Sequence, residues 1–399
     1  MMTFRKTAAV AIAAWVMLGL AGISPAATFT VNTTQPEGEG SLAWAVGQAN
    51  QTAGPDAIVF ALDGSQRIAL NLTLLVSDPV MIDGGKSAVV GLNPEAGSVM
   101  ILNFLAGSGG SVVKDLALVN GYAGCFLQSE NNRVVGCAIG TDWSDTAGLG
   151  NVVGVLVTGA DNVIGGPAAG DRNVISGNSE YGVLADNAWN CRIQGNFIGT
   201  DSSGRSAMGN RLGVMLQGTT MHSLVGGTHG PVGVLAEGNL ISGNLWAAQI
   251  DGFAATGNTV CGNIMGLTLD QSAVLASDDG MTVRATAGNW VGLPEPGKDN
   301  VICGHRISGI ANDGPVPARH NVIQNNFIGV TEAGAIFPNA IGIILFEGGL
   351  TLEPRDYLRS PVVIKRLLTI GALVTWVGSA AAVRFIFDAS WEVSLLAGS

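Results

Sequence analysis

Short apolar strings recur along the chain, each closed by a polar corner. Asn173-Val-Ile-Ser-Gly-Asn178 returns at 239–244 and, varied, at 300–305. Arg192-Ile-Gln-Gly-Asn-Phe-Ile-Gly199 has counterparts at 133–140, 259–266 and 322–329. A third string, 162–166, recurs at 223–227 and 289–293. In each, aliphatic residues alternate with small or polar ones, which turns one side chain inward and the next outward on a β-strand. Gly and Asn follow, and both tolerate the left-handed backbone of a sharp corner. A further group opens with Gly, as in Gly154-Val-Leu-Val157 and Gly213-Val-Met-Leu216. Alternation there puts Val155 with Val157, and Val214 with Leu216, on one side.

Taking Cys137, Asn196, Asn263 and Asn326 as anchors, the steps are 59, 67 and 63 residues. Three interleaved strings share this super-period, which is the mark of a stacked architecture. A β-solenoid turn of roughly 20–25 residues puts about three coils in each super-period. Residues 104–349 then supply about eleven or twelve coils, a rod of about 55 Å at strand spacing. Stacking sets like above like, so Asn residues at the corners are expected to form hydrogen-bonded ladders. The excursions from Asp142 to Gly150 and from Asp201 to Asn210 read as loops thrown off one edge. No L-x-x-L-x-L string supports a leucine-rich repeat, and nothing in 104–349 holds a helical period.

The ends differ from the repeat. Thr28 to Val31 alternates as a strand. Ser41 is placed to cap a short helix in which Leu42, Ala45, Val46 and Ala49 share a face. Such a helix covers the open edge of a first coil. Ala57 to Phe60 reads as the first strand of the body. Arg5 and Lys6, the apolar run from Ala8 to Gly22, and Ser24-Pro25-Ala26 form the pattern of a secretory signal cleaved near Ala26. An N-terminal membrane anchor is the alternative. Beyond residue 350 the Asn-Gly pattern stops. Residues 361–388 fit strands of a small sandwich-like segment, complete or incomplete. The 17-residue uncharged run from Leu367 to Val383 leaves a membrane span as the other reading.

Composition sharpens this picture. Only 12% of residues are charged, and 58 of 399 are Gly. With so many periodic Val, Ile and Leu, this describes short strands and tight turns, not disorder. The net charge of −11 argues against nucleic acid as a partner. Removal of Arg5 and Lys6 takes it to −13. Five cysteines, without C-x-x-C spacing, give neither a disulfide framework nor a zinc site. Cys137 stands at an Asn anchor, and Cys303 stands where Ser176 and Ser242 do.

The N-x-I-x-G-N and N-x-I-G-G strings over 104–349 resemble the right-handed parallel β-helix repeats of bacterial exported proteins, within the pectate-lyase-like superfold. The segment from Ser41 to Phe60 is similar to the cap of large bacterial surface proteins. It lacks the charged pair that often follows Ser-Leu in those caps. The segment from Ser360 to Phe387 is similar to the β-sandwich piece that often follows the helix. The resemblance implies an all-β fold, a right-handed parallel β-helix, with four parts. These are a signal peptide (1–26), a cap and first strand (27–60), the helix (61–349) and a C-terminal β segment (350–399).

This superfold hosts lyases, hydrolases, epimerases, adhesins and passive stalks, so fold does not name function. The resemblance to pectate lyases implies calcium held by converging carboxylates. Asp142 and Asp201 stand at equivalent loop starts and are the candidates, although turn-forming Asp explains both. Hydrolases of the superfold imply paired carboxylates with His and Arg, for which Asp278, Asp279, His305 and Arg306 are the candidates. His305, however, occupies an Asn position of the repeat. Trp143, Trp189 and Trp246 fall in loop-like positions with no evident ladder. The expectation is therefore a secreted or cell-surface protein without catalysis or cofactor. It would serve in adhesion, in contact with polysaccharide or a cell-envelope component, or as a rigid spacer. The membrane enters only through export, and the sequence does not fix the oligomeric state. The alternative is a polysaccharide lyase or glycoside hydrolase acting on uronate-type glycans.

Overall fold

The computed structural model describes residues 26–93, 99–313 and 320–345. The chain divides into two compact units, Met1–Glu347 and Gly348–Ser399. The expected signal segment, except for Ala26, and the expected C-terminal β segment lie outside the described residues.

The first unit is built from three sheets of eleven, ten and ten strands, in which each strand pairs in parallel with its counterpart one coil further on. Arg133–Val135 pairs with Val163–Gly165 in the eleven-stranded sheet. Ala138–Ile139 pairs with Val174–Ile175 in a sheet of mostly very short strands. Val153–Val157 pairs with Tyr181–Asp186 in a sheet of mostly longer strands. One circuit through the three sheets and back is one coil of a parallel β-helix. The coil is right-handed, the sense that crossovers between parallel strands take.

Alternation in the sequence becomes the core of the solenoid. Ile164, Ile193 and Val225 stack inward from one sheet, Ile175 and Ile198 from the second, and Val183 from the third, all buried. Val155, Val157, Val214 and Leu216 are buried on the shared side that alternation assigned them. Deleting part of such a side chain, as in Ile198→Ala, costs about 2–5 kcal/mol. Gly213 is the second residue of the strand Leu212–Gln217, with its hydrogens toward the core. A Cβ there would lie 2.5 Å from the Ala247 carbonyl oxygen and 2.8 Å from Ile241, so only Gly permits the coil spacing.

The corners carry the polar order. Cys137, Asn173, Asn196, Asn239, Asn263, Asn300 and Asn326 form one ladder. The Cys137 N–H donates to Asn173 Oδ1 at 2.8 Å, and each Asn Nδ2 then donates to the next Oδ1 at 2.8–3.0 Å. Each amide also closes a carbonyl, as Asn196 Nδ2 does with Ile164 O at 2.9 Å. The residue before the rung is often left-handed: Gly195 has φ 69°. Similar runs occupy the other two corners, through Asn132 and Asn162 and through Asn151, Asn178, Asn210 and Asn244.

This ladder corrects the expected coil length. Asn173, Asn239 and Asn300 are rungs between Cys137, Asn196, Asn263 and Asn326, so a super-period holds two coils, not three. Successive rungs are 36, 23, 43, 24, 37 and 26 residues apart. Long and short coils alternate because every second coil carries the excursions. The long-strand sheet contributes nine strands from Leu102–Phe104 to Ile341–Leu345. Their eight steps span about 38 Å, against the expected eleven or twelve coils and about 55 Å.

At the N-terminus, helix Leu42–Ala49 is capped by Ser41, whose Oγ accepts from Trp44 N–H at 3.1 Å. Leu42, Ala45, Val46 and Ala49 are buried, as their shared face requires. Strand Thr28–Val31 pairs with Asp56–Phe60, so the cap is continuous with the eleven-stranded sheet.

Candidate functional site

The excursions decide which outer face is open. Those on alternate coils form short hairpins at equivalent places, closed by Thr200 with Ala207, Leu267 with Val274, and Val330 with Ile336. They are stapled coil to coil. Ser202 Oγ donates to Asp145 at 2.6 Å, and Arg205 pairs with Asp270 at 2.9 Å. Leu235, Leu267, Leu269 and Phe337 from these and neighbouring loops pack with Phe197, Leu240 and Ile264 of the short-strand sheet. A second apolar layer forms there.

The long-strand sheet instead bears a groove of about 560 Å³. Its floor is a grid set by strand register. Tyr181, Leu212, Trp246 and Asp279 lie in one row across successive coils. Met215, Gln249 and Thr282 form the next row, and Gln217, Asp251 and Arg284 the third. Coil spacing puts Tyr181 and Trp246 about 10 Å apart along the solenoid. Both rings are half-buried. The Arg211 guanidinium sits 5.4 Å from the Trp246 ring centroid and is held at 2.6 Å by Glu180. Gln249 Nε2 donates to Asp251 at 3.1 Å, while Arg284 is exposed. Aromatic faces beside fixed amide, carboxylate and guanidinium groups can bind a ligand having both C–H faces and hydroxyls.

The sequence-expected residues fall elsewhere, with one exception. Arg306 Nε donates to Asp278 Oδ1 at 2.7 Å, a surface pair. Asp279 lines the groove, its Oδ1 accepting from Ser308 N–H at 3.1 Å and Ser308 Oγ at 2.6 Å. His305 is turned inward and is 2% exposed. Burial pushes its pKa down to about 4. The four candidates are therefore divided among a surface pair, the groove and the interior.

Among the described residues, no group of three metal-ligating side chains gathers at Asp142 or Asp201. Asp142 Oδ1 accepts from Ser144 and Thr146 N–H, and Asp201 Oδ1 accepts from Arg205 and Ser206 N–H. Partial desolvation opposes ionisation of each carboxyl, but these bonds hold both below the usual carboxylate range. Each carboxylate already serves its own loop as a turn anchor.

Sequence reasoning missed the groove. Trp246, expected in a loop, opens the strand Trp246–Asp251. Trp143 packs beside Val89, Ala117 and Val119, and Trp189 is exposed at a corner against His222. The outward positions of the Gly-initiated strands were the available signal.

No protein-family model matches the chain, and no curated protein matches it. Among solved structures it is similar to an alginate lyase from Paenibacillus sp. str. FPU-7, at 16% identity over 74% of this chain and 98% of that one, TM-score 0.35. It is also similar to the A-module of the Azotobacter vinelandii mannuronan C-5 epimerase AlgE6, at 13% identity over 80% and 96%, TM-score 0.38. A third is the cedar pollen allergen jun a 1, at 12% identity over 84% of each chain, TM-score 0.32. The fold of this chain rests on its own strand pairing.

Proposed function

We propose that this chain is an exported, non-catalytic β-helix protein that holds a polysaccharide against the outer face of its long-strand sheet. The observation that carries the reading is the register grid. It sets Tyr181 and Trp246 in one row and Gln249, Asp251 and Arg284 beside them. Sugar rings stack their C–H faces on such aromatics, and the polar row supplies donors and acceptors to their hydroxyls. Burial of His305 keeps the one imidazole of the four candidates out of reach of a ligand in the groove. Export rests on the basic, apolar and small-residue pattern of residues 1–26.

Affinity electrophoresis of the full chain through gels containing neutral or uronate polysaccharides tests this. Trp246→Ala is expected to abolish retardation at an unchanged melting temperature. Retardation equal to that of the unsubstituted protein would refute the reading. A second reading, a polysaccharide lyase or hydrolase, is favoured by Asp251, Asp279 and Arg284 facing one groove. It predicts new unsaturated or reducing ends from uronate glycans, with or without calcium, lost in Asp279→Asn. Turnover of that kind would replace the binding reading.

A further inference from the structure

One corner ladder is broken. It runs through Asn151, Asn178, Asn210 and Asn244, each Nδ2 donating to the next Oδ1 at 2.9–3.1 Å. The next position is Ser277, two residues before Asp279 as Asn244 is two before Trp246, its register partner. His305 follows, and its N–H donates to Asn339 Oδ1 at 2.9 Å, where the ladder resumes. Ser277 Oγ and both ring nitrogens of His305 are buried without hydrogen-bond partners. The ring faces the Met265 and Ser277 backbone without reaching bonding geometry. Three unpaired polar atoms on two adjacent rungs make this the weakest link of that corner, because each unmet buried group is destabilising.

We propose that the Ser277–His305 rung is an acid-labile joint, at which adjacent coils separate as His305 takes up a proton. A neutral imidazole is tolerated inside, whereas an imidazolium needs two acceptors and a counter-charge. Its surroundings offer no counter-charge, and the Met265 and Ser277 backbone stands outside bonding geometry. Gly266, just past strand Ile264–Met265, and Gly280, in strand Asp279–Arg284, lie against the ring and bring no charge. On the third side stands the neutral amide of Asn339. Of the nearest carboxylates along the chain, Asp278 is engaged outward by Arg306 and Asp279 by Ser308. The Cys303 thiol, pushed up to about 11 by burial, stays neutral. Protonation is therefore favoured only in an opened form, where the ring meets water.

The sign follows from the ring's values. Its folded pKa, about 4, lies below the ordinary 6.5, so closure is fully stable above pH 6.5 and weakens as pH falls toward 4. Opening at about pH 5 should exceed that at about pH 7.5 by about 30-fold.

Hydrogen exchange by mass spectrometry on the full chain reads this directly, as protection factors at the two pH values. We expect the 30-fold loss in peptides covering 276–284 and 305–312, with 173–198 unchanged. His305→Asn restores the ladder residue and should abolish the loss, and His305→Gln serves the same comparison if the Asn variant does not fold. Ser277→Asn should strengthen the joint yet keep its pH dependence. Loss spread evenly over the chain, or persisting unchanged in His305→Asn and His305→Gln, would overturn the proposal. Ligand binding does not enter this test, so it stands apart from the reading of the groove.

Discussion

Asn196 shows what a single corner residue does. Its Oδ1 accepts from Asn173 Nδ2 at 2.9 Å, while its Nδ2 donates to Ile164 O and to Asn239 Oδ1 at 2.9 and 3.0 Å. The side chain is fully buried, so no water replaces it. Asn196→Ala should therefore cost about 2–4 kcal/mol, with more than one polar group left unmet. Urea denaturation would show this as a lower midpoint at unchanged slope. Cys137 reveals the rule from the other side. It keeps its place at the head of the ladder through its backbone N–H, while its thiol, pushed up to about 12 by burial, donates to Val135 O at 3.2 Å. His305 does likewise but brings two ring nitrogens that find no partner.

Among the elements, the cap and the groove differ in how they are specified. The cap helix is local. Ser41, its bond to Trp44 N–H and the buried face from Leu42 to Ala49 are all readable over nine residues. Ser41→Ala should destabilise the chain by about 1 kcal/mol, read as a lower melting temperature. The groove is not local. Tyr181, Trp246 and Arg284 lie 65 and 38 residues apart in sequence and meet only because three strands share one register. The unequal excursions between them hid that register. They also hid the true coil, since long and short circuits sum to a repeat that looked like one unit.

For the whole first unit, stability at low pH should fall in two steps. The first belongs to His305, between about pH 6.5 and 4. The second belongs to loop carboxylates whose folded pKa values are depressed. Hydrogen bonds from Thr268 and Ser272 bring Asp270 to about 2, and the turn bonds of Asp142 and Asp201 lower theirs. Such groups stabilise above the ordinary value of 3.8, and the contribution is lost as pH falls through the folded value. In His305→Asn the first step should vanish, leaving a decline that begins only below about pH 4. Thermal midpoints across a pH series would check both limbs.

The sequence by itself determined the solenoid, its three kinds of corner string and its cap. Alternation, left-handed corner residues and helix capping act over a few neighbouring positions, and each repeats. Tertiary structure decided the coil length, the covered and open faces, and the neighbours of Trp246 and His305. Those depend on loop lengths and on parallel register between segments some thirty residues apart, where no local propensity reaches.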